Sequence, residues 1–296
     1  MKLSIVMTTY NGMEYIKDQL DSIANQKRKA DEVLIYDDGS NDGTIEFIEN
    51  YINNNGLNNT WKLIVNEENK GWRRNFVEGI WSSIGDLVFP CDQDDIWHEN
   101  KLEIIENIMT ENPQIQVLTT NVTNLYDNGD RKPSNNQDGK IVKVSWEKHV
   151  FRVDAPGCVY CIRRELVSKS KNYYRVEYAH DDYFWKLGLF ADGKHDDSTF
   201  SVETRKNRNV NARINWIDMA LDYCDDITDY VNNDNTIIEK DKKLSVIKRN
   251  RKYLNLRKRF YETGNPLLIV PMSMYKDCYL KSRQLLGDVY IKYVSR

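Results

Sequence analysis

Apolar and polar positions in the first half of the chain fall into blocks that switch between two periods. Leu3-Ser4-Ile5-Val6-Met7-Thr8 is a short apolar run, the mark of a buried strand. From Glu14 to Gln26 the apolar residues Tyr15, Ile16, Leu20, Ile23 and Ala24 recur near helical spacing. Glu32-Val33-Leu34-Ile35-Tyr36 predicts a second strand, followed by the turn-forming cluster Asp37-Asp38-Gly39-Ser40-Asn41-Asp42-Gly43-Thr44. Next comes a helix with Ile45, Phe47, Ile48 and Ile52 on its apolar side. A strand over Trp61-Lys62-Leu63-Ile64-Val65, a helix from Arg73 to Ile84 and a strand from Asp86 to Phe89 complete the series. Strands alternating with helices imply βαβ units and an α/β architecture with a mostly parallel central sheet.

Ligands of such sheets bind outside the carboxyl ends of the strands. Thr8-Thr9-Tyr10-Asn11, Asp37-Asp38 and the acids from Asp92 to Asp95 all fall at predicted strand ends. Three polar clusters far apart in sequence are therefore expected along one edge. The third cluster is the most informative. Leu87-Val88-Phe89-Pro90-Cys91-Asp92-Gln93-Asp94-Asp95-Ile96-Trp97 passes from an apolar run into three carboxylates within four residues. Acids this close repel one another, and ionising them together is costly without a cation. Mn²⁺ or Mg²⁺ takes carboxylate oxygens and keeps room for phosphates. The pattern points to an enzyme that handles a phosphorylated donor.

The second half is less regular. Asp127 to Gly139 is rich in turn formers and reads as a surface loop. Ala155-Pro156-Gly157 opens a strand from Cys158 to Arg163, and His180-Asp181-Asp182-Tyr183-Phe184-Trp185 opens a helix within Tyr173 to Leu189. Trp216 to Tyr230 and Lys240 to Tyr261 have helical character, Pro266 to Pro271 breaks the pattern, and Ser273 to Val294 is helical again. The expected division is a catalytic domain over residues 1–214 and a helical region over 215–296.

Composition adds constraints. Hydrophobic residues make up 40% and charged residues 29%, an ordinary balance for a soluble protein. The net charge of −3 offers no global attraction to nucleic acid. No apolar stretch approaches the ~20 residues of a spanning helix, and the run after Met1 is too short for a signal peptide. A cytoplasmic protein is expected. Five cysteines, an odd and dispersed set, argue against a disulfide framework. The lone Cys158-x-x-Cys161 lacks the second pair that a structural zinc site needs.

Taken together, Ser4-Ile5-Val6-Met7-Thr8-Thr9-Tyr10-Asn11-Gly12, Asp37-Asp38-Gly39-Ser40-Asn41-Asp42-Gly43-Thr44 and Asp92-Gln93-Asp94-Asp95 resemble the opening of family 2 glycosyltransferases. Asn69-Lys70-Gly71-Trp72-Arg73-Arg74-Asn75-Phe76 and Asp92 to Trp97 are most similar to the bacterial rhamnosyltransferase-like branch. The resemblance covers roughly residues 1–210, and the motifs in this order are far more specific than any one alone. It implies a GT-A fold with a helical C-terminal extension. It also implies inverting transfer of a sugar from a nucleotide diphosphate sugar, such as a UDP-hexose or dTDP-rhamnose. The acceptor would be a hydroxyl of a surface polysaccharide or a glycoprotein or lipid-linked glycan.

The resemblance also implies roles. Thr8, Tyr10, Asn11 and Asp38 would hold the base and ribose, as a stacking ring and a carboxylate acceptor can. Read alone, Asp37-Asp38-Gly39-Ser40 is a turn and helix cap. Asp94 would bind the metal, with Asp92 and Asn207 as further candidate ligands, while Asp92 and Asp95 contact or orient ribose and sugar. Asp181 would be the general base that takes the acceptor proton, with Asp182 as its neighbouring alternative. A helix N-terminus also favours acids at those positions. Arg73 and Arg74 could pair with the diphosphate or lie on a solvated helix face. Trp97 and Trp185, which flank the acidic motifs, suit a sugar border or core packing.

One departure stands out. The branch usually carries an R-x-H-x-x-N-like element, and here Arg205-Lys206-Asn207-Arg208-Asn209 has Asn207 where histidine is expected. Asparagine is a weaker, neutral ligand, so either the metal would be held more loosely or Arg205 and Lys206 would carry part of the leaving-group charge instead. The basic stretch from Lys240 to Arg259 interleaves with Leu244, Val246, Ile247, Tyr253, Leu254 and Leu256. Such a helix either lies on an anionic membrane or packs on the catalytic domain or a partner subunit. Two other functional classes remain at this stage. A haloacid-dehalogenase-type phosphatase also places D-x-D after a strand, but normally the first strand of its fold, with the first acid as nucleophile. The other is a non-catalytic nucleotide-sugar-binding protein, against which the three acid clusters argue.

Overall fold

The computed structural model describes residues 1–125, 130–133, 141, 146, 156–191, 210–279 and 284–293. Its sheet contains β1 (Leu3–Thr9), β2 (Glu32–Asp37), β3 (Trp61–Val65), β4 (Leu87–Cys91) and β5 (Val117–Thr119). A separate hairpin pairs β6 (Thr123–Leu125) with β7 (Arg131–Pro133), so this part of the expected 127–139 loop is a strand. The last strand, β8 (Tyr160–Arg163), completes the main sheet in the order β3-β2-β1-β4-β8-β5. The first four strands run parallel, and β8 is antiparallel to both neighbours.

β1 is central and buried along its whole length, as a strand covered on both faces must be. Side chains alternate across a strand, and β1 divides accordingly. Leu3, Ile5 and Met7 join one core with α1 (Ile16–Ala24), α2 (Thr44–Asn54) and α4 (Lys101–Glu111). Val6 enters the other core with α3 (Trp72–Ser82), α5 (Arg164–Ser170) and α6 (His180–Phe190). Gly79 lets α3 approach closely, because a Cβ there would sit 2.6 Å from a Val6 methyl.

The second core continues into α7 (Val210–Asn233) and α8 (Lys240–Thr263) through Ile217, Tyr223, Ile227, Ile247 and Leu254. The 214/215 boundary expected from sequence falls inside α7. The apolar side of α8, with Ile247, Tyr253, Leu254, Phe260 and Tyr261, is buried. Beyond it, the segment expected to break the helical pattern is a 3₁₀ turn, Pro266–Leu268, continuing into α9 (Ile269–Ser273). The helix expected from Ser273 to Val294 is shorter. A 3₁₀ turn, Lys276–Cys278, precedes α10 (Gln284–Tyr293). Arg257 Nε and Nη2 donate to the buried Asp288 carboxylate at 2.6 Å each, which ties α10 to α8. Among the described residues no helix is long and apolar enough to cross a membrane.

β1 has β2 on one side and β4 on the other, and the chain leaves toward β2 before returning to β4. The switch point between β1 and β4 is where an open α/β sheet leaves a crevice for ligand. The carboxyl ends of those two strands carry Thr8-Thr9-Tyr10 and Asp92 to Asp95.

Candidate active site

Two of the three polar clusters are joined by their own loops. Asp37 accepts from the Gly39 and Ser40 amides on Oδ1, and from the Thr9 and Ser40 hydroxyls on Oδ2. Its carboxylate is therefore spent on the turn. Asn11 adopts a left-handed backbone at φ 50°, a region open to asparagine. Its amide donates to Ser40 Oγ at 2.8 Å, and its Oδ1 accepts from the Asn41 amide at 2.9 Å. The loops after β1 and β2 are laced together before any ligand arrives.

Asp38 is buried, and its carboxylate accepts from Asn66 Nδ2 at 2.9 Å, the Lys70 amide at 2.8 Å and the Gly71 amide at 2.9 Å. Asn66 also donates to Asn75 Oδ1, and Asn75 donates to the Tyr36 carbonyl. Asp38 thus holds the 66–71 loop and the entry to α3 against the end of β2. Thr8, near the end of β1, is buried, while Tyr10 stands 50% exposed.

Gln93 bridges the first cluster to the third. Its Oε1 accepts from the Tyr10 amide at 2.9 Å and its Nε2 donates to the Tyr10 carbonyl at 3.2 Å. Beyond it, ligand atoms of Asp92, Asp95 and Cys158 lie within 4.8 Å of one another. Burial, then repulsion from Asp95, Asp94 and Asp181, pushes the Asp92 pKa up to about 7. Burial and Asp95 also raise the pKa of Asp94, which faces outward. Asp95 Oδ2 is buried with no hydrogen-bond partner. Lys101, the first residue of α4, donates to the Cys158 carbonyl at 2.9 Å and lies 3.5 Å from the Trp97 ring centre. Burial lowers its pKa, and Asp95 is among the groups that oppose this.

A crowded, partly buried set of carboxylates with an orphaned oxygen fits a hard divalent cation. The Cys158 thiol is the odd member of that group: burial and the neighbouring acids push its pKa far up, and sulfur suits softer metals than carboxylate oxygens do. Cys161 lies in the opposite core, so the two cysteines do not form a site together.

The fourth motif arrives from the far side. His180 opens α6, buried, with its ring 4.0 Å from that of Phe76 and edge-on to Trp72 at 6.3 Å. Its ring nitrogens have no partner at hydrogen-bonding geometry, and only the Gly157 backbone comes near enough to favour a proton. Burial dominates and pushes the pKa down to about 3, so the ring is neutral. A Cβ on Gly157 would sit 2.5 Å from His180 Nε2, so the close approach requires glycine. His180 therefore anchors the helix start, and Asp181 follows it close enough to Asp92 to raise that acid's pKa. Asp182 is the next residue of α6.

Arg73 stacks over the half-exposed Trp72 at 4.7 Å, beside the His180 end of α3. Arg74 is drawn instead to Glu78 at 2.6 Å, which Lys70 also pairs. Trp97 and Trp185 are both buried, against Phe89 and Tyr160 respectively. Arg205, Lys206 and Asn207 lie outside the described residues. Sequence reasoning assigned no role to Gln93, Asn66 or Lys101. The signal for Gln93 was its place between two acids, but its partner Tyr10 lies 83 positions away.

The glycosyl transferase family 2 model matches residues 4–182, from β1 to the start of α6. Among curated proteins, the dTDP-rhamnosyl transferase RfbG of Shigella flexneri is 29% identical over 175 residues, spanning 56% of this chain and 57% of that protein. The UDP-Glc:alpha-D-GlcNAc-diphosphoundecaprenol beta-1,3-glucosyltransferase WfgD of Escherichia coli is 27% identical over 198 residues, 64% of this chain and 70% of that one. The chain spans about half the length of the first curated relatives it matches. The crystal structure of S. aureus TarS 1-349 with UDP-GlcNAc superposes with a TM-score of 0.60 at 16% identity, covering 99% of this chain and 82% of that one. At that identity the likeness is one of fold, the GT-A architecture.

Proposed function

The chain belongs to glycosyl transferase family 2, and from that premise we propose that it is an inverting glycosyltransferase using a nucleotide diphosphate sugar. What carries the reading is the meeting of two acidic motifs across one crevice. Asp92 to Asp95 come from the end of β4, and Asp181 from the start of α6, near enough for Asp181 to perturb Asp92. A donor site and an acceptor base need that opposition.

In this reading the Tyr10 ring stacks on the base. Thr8 and Asn11 line the same end, and Asp38 shapes it through the 66–71 loop. Asp94, with Asp92 and Asp95, would hold Mn²⁺ or Mg²⁺, which supplies positive charge to the diphosphate when bound. Asp181, or its neighbour Asp182, accepts the acceptor hydroxyl proton as the oxygen bonds to the anomeric carbon. The bond from that carbon to the diphosphate oxygen breaks on the opposite face, and its electron pair leaves with the nucleoside diphosphate. Arg73 would meet that charge, whereas Arg74 is engaged by Glu78. The two named relatives make dTDP-rhamnose and UDP-glucose the first donors to try, with a lipid-linked glycan as the first acceptor. The expected location is cytoplasmic, where nucleotide sugars are the substrate pool.

A donor panel read by nucleoside diphosphate release, with mass spectrometry of the product, tests this. Asp94→Ala and Asp181→Asn should both abolish transfer, and only Asp94→Ala should greatly weaken nucleotide diphosphate binding. Equal loss of binding in both would contradict the division of roles. Full turnover in chelator would remove the metal from the reading.

A further inference from the structure

We propose that the surface formed by residues 266–274 and the outer stripe of α8 seats on an anionic lipid bilayer. The 3₁₀ turn Pro266–Leu268 runs directly into α9. Leu267, Val270 and Met274 follow at i, i+3 and i+7, so they share one face. That face points to solvent, with exposures of 77%, 70% and 72%. Gly264 to Tyr275 contains no charged residue.

The element is held firmly enough for its exposure to be a built feature. Met272 is fully buried beneath it. Arg249 pins its far end, pairing with both Asp277 oxygens, donating to the Met274 carbonyl at 3.2 Å and stacking over Tyr275 at 4.8 Å.

Charge selects the occupant. Lys248, Lys252 and Arg259 are exposed at i, i+4 and i+11 on α8, the helix that Arg249 ties to this element, and they share that exposed side with the acids Asp241 and Glu262. Among the described residues from 264 to 293 the acids are Asp277 and Asp288, and both are paired, with Arg249 and Arg257. Exposed apolar tips joined to a helix whose solvent side carries more cations than acids match the acyl boundary and phosphates of an anionic bilayer. An isologous dimer through this face would set one cationic stripe against its copy. The apolar side of α8 is committed to the core, so that helix contributes charge and the short element beyond it contributes insertion. This inference stands apart from the donor-site reading, and failure of either leaves the other intact.

The test is co-sedimentation of the whole chain with vesicles of phosphatidylcholine plus phosphatidylglycerol, against phosphatidylcholine alone. Binding should require the anionic lipid and weaken as salt rises. Leu267→Ser/Val270→Ser and Lys252→Glu/Arg259→Glu should each weaken it about tenfold, with the thermal melt and donor hydrolysis in solution unchanged. The proposal is overturned if the wild type does not pellet with anionic vesicles at low salt. It is equally overturned if either variant pellets like the wild type, or if the chain forms a lipid-free dimer that Leu267→Ser/Val270→Ser dissolves.

Discussion

Gln93 and Tyr10 pair like two strands of a ladder, side-chain amide against main chain. Oε1 accepts from the Tyr10 amide at 2.9 Å and Nε2 donates to the Tyr10 carbonyl at 3.2 Å. One side chain thereby sets the spacing between the loop carrying the exposed Tyr10 ring and the loop carrying the acids.

Gln93→Ala should lower stability by only about 1–2 kcal/mol, the worth of two modest hydrogen bonds, and weaken nucleotide binding more than the fold. Gly12→Ala should act on the same contact, since its Cβ would lie 2.3 Å from Gln93 Oε1. In a double-mutant cycle the two losses should be strongly less than additive. Independent, additive effects on nucleotide affinity would show that the bridge is not the shared cause.

Asp38→Ala leaves Asn66 Nδ2 and the Lys70 and Gly71 amides without their acceptor. Hydrogen bonds to a charged group are worth roughly 1.5–3 kcal/mol each, so a loss of about 3 kcal/mol or more in urea unfolding is expected. Hydrogen exchange should show the 66–71 loop opening. Unchanged stability with lost nucleotide binding would mean that Asp38 serves the ligand alone.

The Asp92 carboxyl, held near a pKa of about 7 by burial and three neighbouring acids, makes stability depend on pH in a defined direction. Its unfolded-state pKa is the ordinary one near 3.8, so between these values the folded state binds more protons than the unfolded. Stability from this group therefore falls as pH rises through that window, and the full penalty applies above about 7. In chelator, Asp92→Asn should raise Tm relative to wild type at pH 8 and lose that advantage near pH 4. A constant Tm difference across the range would sink the assignment.

Arg257 and Asp288 are both almost completely buried, and the Tyr261 hydroxyl donates to the same carboxylate at 2.6 Å. Removing one partner strands a charge, which typically costs about 3–5 kcal/mol. Arg257→Met should therefore destabilise far more than Arg257→Met/Asp288→Leu, measured by urea unfolding. If the double variant is as damaged as the single one, the pair's charge is not what matters there.

The strand ends were legible in the chain for a physical reason. Leu3 to Thr8, Glu32 to Tyr36 and Asp86 to Phe89 are buried runs separated by amphipathic helices, and only a parallel sheet satisfies that alternation. It brings Thr8-Thr9-Tyr10-Asn11, Asp37-Asp38 and Asp92 to Asp95 to a common edge. The partners of those residues were not legible. The acceptor role of Asp38 depends on the 66–71 loop folding back onto β2, and Gln93 depends on meeting a backbone 83 positions away. Such contacts have no local period to betray them.

The basic helix marks the same limit from the other side. The spacing of Ile247, Leu254 and Tyr261 among lysines and arginines specifies an amphipathic helix in the chain itself, because 3.6 residues per turn places them on one face. Whether that face meets lipid or protein depends on what else packs there. α7 and α10 cover it, and Arg257 finds Asp288. The apolar face left open belongs to Leu267, Val270 and Met274, in a segment whose prolines read as a break. Local sequence set each element's period and polarity, while the tertiary packing chose which apolar faces were buried and which were left to solvent.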